Sequence, residues 1–309
     1  MKLRVNIHQL ATLVSIADYG NFSAAADFLG TVQSNVSSHI AKLEKDLDVI
    51  LYDRATGQLT DAGRLVATRA RRVLAEIDAL DSDIAALKSE VSGSVKIGTI
   101  GTTARWLCPR LMDIAAKKHP KLRLVILEGT TTTLEPRVAT GQLDLAICNI
   151  PLAARDLVTQ PLFLEELVLV VPVDHPLAQN NRIPLSALAN MELLLPMEGT
   201  AFRGEIDEAI TPLGIQLHPR AEIDGTRLIA SLTFEGYGPS ILPATAIPSY
   251  LRDRWALVHV DGLPCRQVGI AMRSRGFPSA PARAALELLR DIVANPSELP
   301  EGLSPISSS

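Results

Sequence analysis

Seven polar residues, Gln33, Ser34, Asn35, Ser37, Ser38, His39 and Lys42, fall on one side of a helix. The spacing of Val36, Ile40, Leu43 and Leu47 predicts that helix from about Gln33 onward. Short hydroxyls, amides and an imidazole have the donors and acceptors that read base edges in the major groove. A generic solvated helix face carries more Glu and Lys than this one. From the residues alone, a base-reading face and the solvated face of a small bundle both stand.

A second set is rich in threonine. Gly101-Thr-Thr103, Gly129-Thr-Thr-Thr-Thr133 and Gly199-Thr-Ala-Phe-Arg203 each lie where a strand pattern gives way to a helix, and Asn149 follows a third strand. Any one threonine there is an ordinary helix cap. Together, free backbone N–H groups and hydroxyls at helix N-termini suit a small anion such as a carboxylate. The candidate effector contacts are Thr102, Thr103, Thr130, Thr131, Asn149, Thr200 and Phe202. Arg105 and Arg203 either add positive charge or point to solvent.

Catalytic patterns are missing from the sequence. There is no Gly-x-Ser-x-Gly elbow and no phosphate loop of the Gly-x-x-x-x-Gly-Lys-Ser/Thr type. The six histidines form no His-x-x-x-His spacing, and the cysteines form no Cys-x-x-Cys pair. No catalytic residue, metal or cofactor is expected. The three cysteines, Cys108, Cys148 and Cys265, are far apart and odd in number, which suggests reduced thiols in a cytoplasmic protein. Cys108 and Cys148 read either as small buried hydrophobes or as a thiol sensor. The N-terminus lacks the apolar run of a signal peptide, and no stretch reaches the roughly eighteen apolar residues of a membrane span. A formal charge of −4 argues against generic polyanion binding by the whole chain.

Three kinds of element must position these residues. Asn6 and Ser23 are candidate caps for two short helices ending at Gly20 and Gly30, and a turn then leads into the helix at Gln33, a helix-turn-helix pattern. Two short extended runs around Gly57 suggest a small β-wing carrying Arg54, a candidate phosphate contact. Next, Val66, Ala70, Val73, Ile77, Leu80, Ile84, Leu87 and Val91 follow one another in steps of four and three. That is a coiled-coil seam, and it predicts a homodimer with Val73, Ile77, Leu80, Ile84 and Leu87 at the interface. Ser92-Gly-Ser94 reads as a hinge. Beyond it, strand and helix patterns alternate as βαβαβ, beginning with a strand at Val95–Ile100 and a helix at 105–118. A second set starts at Glu166, and Pro281–Val293 closes the domain as a helix.

The ordered set Phe22-Ser-Ala-Ala-Ala-Asp-Phe-Leu29, Gln33-Ser-Asn-Val-Ser37, Ile40, Leu43-Glu44, Leu51-Tyr-Asp-Arg54 and Leu59-Thr-Asp-Ala-Gly63 resembles the LysR-type transcriptional regulators. The likeness runs through the linker helix into the C-terminal region. It implies an α/β multidomain chain: an N-terminal winged helix-turn-helix (1–59), a coiled-coil linker helix (60–91) and a two-lobed α/β periplasmic-binding-protein-like effector domain (93–295). Lobe I would comprise 93–165 and 266–295, and lobe II 166–265, with crossings near 162–167 and 262–268. The tail at 296–309 is Pro- and Ser-rich and is expected to be disordered.

The resemblance further implies sequence-specific binding of double-stranded promoter or operator DNA through Ser23, Gln33, Ser34, Asn35, Ser37, Ser38, Lys42 and Arg54. It implies an effector site at the threonine loops, tetramers built as dimers of dimers, and RNA polymerase as a further partner. The sequence departs from the family pattern at Val32, where Ser is usual and Thr31 could substitute as the cap, at Ser38, and at Asp48 in place of Gly. Residues 1–59 also hold five basic residues against six acidic ones, a net of −1 that predicts weak non-specific DNA affinity. These features keep a second reading open, a cytoplasmic small-molecule sensor with a vestigial helix-turn-helix.

Overall fold

The computed structural model describes residues 5–87 and 91–306; for residues 85–87 and Ser297 only the backbone is described. The N-terminal unit is built from α1 (Ile7–Tyr19), α2 (Phe22–Phe28) and α3 (Gln33–Leu47), followed by a wing of β1 (Tyr52–Asp53) and β2 (Gln58–Leu59). Asn6 and Gln9 form a capping box on α1, and Gly20, at φ 83°, ends it in the left-handed conformation that glycine adopts without strain. The α2 cap is Asn21, whose side chain accepts from the Ala24 N–H at 2.8 Å; Ser23, expected to cap, lies within the helix. Leu13, Ile16, Ala25, Ala26, Val36, Ile40, Leu43 and Leu51 make the core. Leu47, expected on the buried stripe of α3, is 37% exposed instead, because the helix ends there at Asp48.

The long helix α4 (Asp61–Leu87) follows. Its first turns belong to the head: Ala67 lies in that core and Val66 packs against it, while Ala70 is also buried within the chain. The seam open to a partner therefore begins later than the heptad count suggests. Val73 is 45% exposed, Leu80 61% and Ile84 50%, and Ile77 lies between them half-buried. Leu87 is the last helical residue, and its side chain is outside the described set, as are residues 88–90 of the expected linker.

Two α/β lobes complete the chain. In lobe I, β3 (Ser92–Ile100), α5 (Gly101–Lys118), β4 (Lys121–Gly129), α6 (Thr131–Ala139) and β5 (Leu145–Ile150) alternate, with β3 parallel to both β4 and β5. The expected hinge Ser92-Gly-Ser94 is instead the first part of β3, paired with Lys121–Arg123. A sixteen-residue strand, β6 (Leu157–Pro172), then runs from lobe I into lobe II. Lobe II adds β7 (Arg182–Pro184), β8 (Glu192–Pro196), α7 (Ala201–Ile210), β9 (His218–Ile223), α8 (Thr226–Phe234), β10 (Ser240–Pro243) and β11 (Trp255–Asp261). The chain returns through β12 (Cys265–Arg273), antiparallel to β6 and β5, and α9 (Ala280–Val293) packs on lobe I.

The expected disorder of the tail is overturned over its described part. β13 (Leu303–Pro305) pairs with Phe163–Glu165, where β6 crosses between lobes, and Leu303 packs against the cores of both. A methyl group on Gly302 would stand 2.5 Å from Ala244 Cβ, so only glycine lets the strap lie this close. Among the described residues no helix is long and apolar enough to cross a membrane.

Candidate DNA-reading face and effector crevice

With Val36, Ile40 and Leu43 buried, α3 turns Gln33, Ser34, Asn35, Ser38 and Lys42 outward, and Ser37 and His39 lie half-buried at the margins. Ser23 Oγ donates to Gln33 Oε1 at 3.3 Å, which leaves the Gln33 amide N–H groups free to donate elsewhere. The α3 N-cap is Val32, with no side-chain cap; Thr31 does not substitute but accepts from Asn35 Nδ2 at 3.0 Å. The first turn of α3 thus keeps backbone N–H groups suited to a phosphate. His39 faces inward at Thr12: the Thr12 hydroxyl donates to the His8 carbonyl at 2.7 Å, so at 3.0 Å it accepts from His39 Nδ1–H.

The wing is hung from α3. Glu44 Oε1 accepts from the Leu51 and Tyr52 N–H groups at 2.8 and 3.1 Å, and Tyr52 packs edge-on to Phe22 with ring centroids 4.6 Å apart. Arg54 is exposed in the wing turn, beside Asp53, whose carboxyl is held low by the Ala55 backbone N–H and by Thr56. Asp48, where glycine is usual, adopts φ 54°, a left-handed conformation that Asp tolerates better than most residues.

The effector candidates lie where strands end. Thr102 and Thr103 are not in a loop: α5 begins at Gly101, so both are buried in its first turn. Thr103 Oγ1 has no hydrogen-bond partner, and neither does Asn149 Oδ1 on β5. The Asn149 N–H donates to Thr131 Oγ1 at 3.2 Å, which brings two of the candidates together. Thr130 caps α6 in a box with Thr133, and Thr200 caps α7, accepting from the Arg203 N–H at 3.2 Å. For these two the ordinary capping role is satisfied. Phe202 is buried with the Arg266 guanidinium 4.3 Å over its ring. Arg203 is saturated by Pro196 O, Asp207 and Glu222, and Arg105 reaches Ala246 O at 3.4 Å.

Sequence reasoning missed the charged residues that tie the lobes together. Arg266 on β12 donates to Glu205 of α7 at 2.5 Å, and Arg227 of α8 pairs with Glu128 at the end of β4. Glu165, wholly buried on the crossing strand, accepts from the Thr245 N–H at 3.0 Å and its hydroxyl at 2.5 Å, while its second oxygen has no partner. Burial pushes the Glu165 carboxyl up, against the pull of the Thr245 hydrogen bonds and of Arg266. One signal for it was available: Glu165 and Glu166 together interrupt an otherwise apolar run, Phe163 to Val171, and strand alternation turns one of the two inward.

The three thiols are free. Burial, with Glu135 adding to it, pushes Cys148 up to about 12, and burial likewise raises Cys108 and Cys265.

Residues 7–64 match the bacterial regulatory helix-turn-helix protein family of the lysR type, and residues 88–294 match the LysR substrate binding domain. A probable hydrogen peroxide-inducible genes activator of Mycobacterium leprae is 31% identical over 92% of this chain and 93% of its own. The DNA-binding transcriptional dual regulator OxyR of Escherichia coli is 29% identical over 94% of this chain and 95% of its own. Among solved structures, a cysteine variant of full-length OxyR from Pseudomonas aeruginosa superposes with a TM-score of 0.72 at 28% identity, over 96% of this chain and 99% of that one. The winged head, the linker helix and the two-lobed domain are thus those of a DNA-binding transcriptional regulator with an effector-binding domain, and the chain belongs to the LysR family.

Proposed function

We propose that this regulator is switched by a small anionic metabolite, a carboxylate above all, bound in the crevice between the lobes at Thr102, Thr103, Thr131 and Asn149, with Phe202 on the far wall. The observation that carries this reading is the pair of buried polar atoms without partners, Thr103 Oγ1 and Asn149 Oδ1. Buried polar groups are nearly always satisfied, and an orphan costs about 1–3 kcal/mol, so two near the ends of the paired strands β3 and β5 suit a polar ligand that completes them. Thr130 and Thr200 contribute their helix N-termini, since their hydroxyls are already engaged in capping.

The relatives' names point to hydrogen peroxide. Peroxide attacks a thiolate; burial favours the neutral form of Cys148 and of half-buried Cys108, and the exposed Cys265 is raised by the partial desolvation of its thiol and by Glu166 and Glu165 beside it. The response we propose is therefore ligand binding and not thiol oxidation. Operator binding runs through the α3 face with Ser23 and Arg54. The homodimer forms along Val73, Ile77, Leu80, Ile84 and Leu87, and pairs of dimers meet through the effector domains. The setting is cytoplasmic, where the operator and RNA polymerase are found.

The test is Thr103→Val, which removes the hydroxyl at nearly constant volume. Effector-free operator affinity should match wild type, because the reading head is a separate unit, and thermal stability should hold or rise because an orphan is gone. The stabilisation given by a metabolite carboxylate panel, about 2.7 kcal/mol at one hundred times Kd, should fall. Unchanged ligand stabilisation moves the site elsewhere. A change in operator binding after peroxide treatment, removed by substituting the cysteines, would restore the thiol reading.

A further inference from the structure

The edge of the crevice holds a feature of another kind. Glu128, at the end of β4 in lobe I, and Arg227, in the first turn of α8 in lobe II, form an ion pair across the gap between the lobes. Gly101 lies against this pair. A methyl group there would come within 2.8 Å of Glu128 Oε1 and 3.0 Å of Arg227 Cδ, so the missing side chain is what makes room for it. Thr102 and Thr103 follow directly in the first turn of α5, so the pair stands at the same helix start as these two buried threonines.

The chemistry of the pair is lopsided. A cation in the first turn of a helix stands at the end of the dipole that favours anions, and α8 has no acidic residue in that turn to offset it. Guanidinium and helix terminus both call for an anion at this point, and the carboxylate that answers comes from the opposite lobe. The pair is also accessible: 59% of the Arg227 side chain and 41% of the Glu128 side chain face solvent. An exposed pair is weak and open to competition from a dissolved anion.

We propose that Glu128 is a built-in carboxylate that occupies Arg227 in the ligand-free chain, and that a small carboxylate effector binds by taking Arg227 from it. The inference rests on the crevice reading above and adds the residue that reads the negative charge. When the exchange occurs, the direct tie between lobes becomes a tie through the ligand, and Glu128 is released to water. A neutral ligand of the same shape leaves the ion pair in place. The same exchange changes how the lobes are held, which is what a bound effector has to do to shift the regulator between states.

The probe is succinate, with succinamide as its uncharged counterpart, titrated into the full chain at matched ionic strength while the thermal midpoint is followed. E128Q frees Arg227 and should bind succinate about two- to fivefold more tightly than wild type, the factor that an exposed pair's strength implies. R227Q and the double variant should show no succinate-dependent shift, and succinamide should move none of the four proteins. Both residues are largely exposed, so all variants should fold. The proposal is overturned if R227Q keeps the wild-type shift, if E128Q binds no better than wild type, or if E128Q shows no shift. Thr103→Val separates this from the parent reading. A succinate shift that survives R227Q but is lost in T103V removes Arg227 and keeps the crevice. A shift lost in R227Q but kept in T103V keeps the Arg227 exchange and moves the ligand away from Thr103.

Discussion

At the scale of single residues, the proposed DNA-binding role gives two side chains on the head different tasks. Gln33 is exposed at the start of α3 with its carbonyl oxygen engaged by Ser23 at 3.3 Å, so its amide is oriented before DNA arrives. Gln33→Ala should cost about 1–3 kcal/mol on the operator and little on random DNA, measured by competition gel shift. Equal losses on both would assign Gln33 to phosphate contact or folding. Arg54, exposed on the wing, should do the opposite: Arg54→Ala should weaken all sequences alike and lower the slope of log K against log salt by about one. Glu165 gives a test in pH. Its carboxyl is pushed up by burial, so the folded chain holds the proton more tightly than the unfolded one does. Its contribution to stability is therefore fully present below the ordinary carboxylate range and is lost as pH rises through the raised value. Glu165→Gln should match wild type in acid and be the more stable protein at neutral pH, as read from urea midpoints at pH 4 and 7.5. A gap of the same size at both pH values would mean that the Thr245 hydrogen bonds, not ionisation, decide the effect.

At the scale of elements, the proposed homodimer rests on the open stretch of α4. Val73, Leu80 and Ile84 are large apolar side chains exposed along one face of a 27-residue helix, the kind of surface that marks an interface. Replacing Ile77 and Ile84 together by Glu places charges where a partner helix would bury them, at a cost of several kcal/mol. Light scattering should show smaller particles, and operator binding should fall with them; an unchanged oligomer would place the interface elsewhere. The elements also mark where sequence periodicity stops being informative. The heptad count gave the seam its direction but not its start, because Val66 packs on its own head and Ala70 is buried within the chain while both keep the same period. The helix α3 was legible since Val36, Ile40 and Leu43 are buried on one side only. β9 was not, being an exposed edge strand, His218–Ile223, with a proline and mixed polarity. β13 was not either: three residues after a glycine in a Pro- and Ser-rich tail carry no period, and their strand exists only because β6 offers its edge at the crossing. The threonines of the crevice were visible by type, but which hydroxyls are spent on caps depends on helix starts, and the start of α5 at Gly101 lies four residues before the one read from the sequence. The ion pairs of Arg227 and Arg266 join residues about sixty to one hundred positions apart, beyond the reach of any local pattern.

At the scale of the whole molecule, the question is how a change in the lobes reaches the head. The helix α4 is seated on lobe I at two points. Near its middle, Arg72 donates to Ala139 O at 2.7 Å and lies 3.5 Å from Asp156, while its neighbour Arg71 pairs with Asp18 of α1, which in turn accepts from Gln142 of lobe I at 3.3 Å. Near its end, Asp83 Oδ1 accepts from the Ala280 N–H at 2.9 Å and from Arg283 at 3.1 Å, holding the N-terminus of α9. Between the two seats runs a groove of about 410 Å³, bordered by Glu76, Asp78, Ser82, Lys96 and Phe277, so polar ties hold the helix from its middle onward at two separate points. The exposed ion pairs among these ties are worth about 0–1 kcal/mol each and the hydrogen bonds about 0.5–1.5, together enough to couple head and lobes but not to fix them against a ligand-driven shift. Arg72→Ala combined with Asp83→Ala should leave the fold of each unit intact and split a shared calorimetric transition into two, with the head melting at its own temperature. Operator affinity without effector should stay within about twofold, because neither residue lies on the α3 face or the wing. If the doubly substituted chain still melts in the same single transition, the seats carry no coupling, and the signal from the lobes must pass through the oligomer alone.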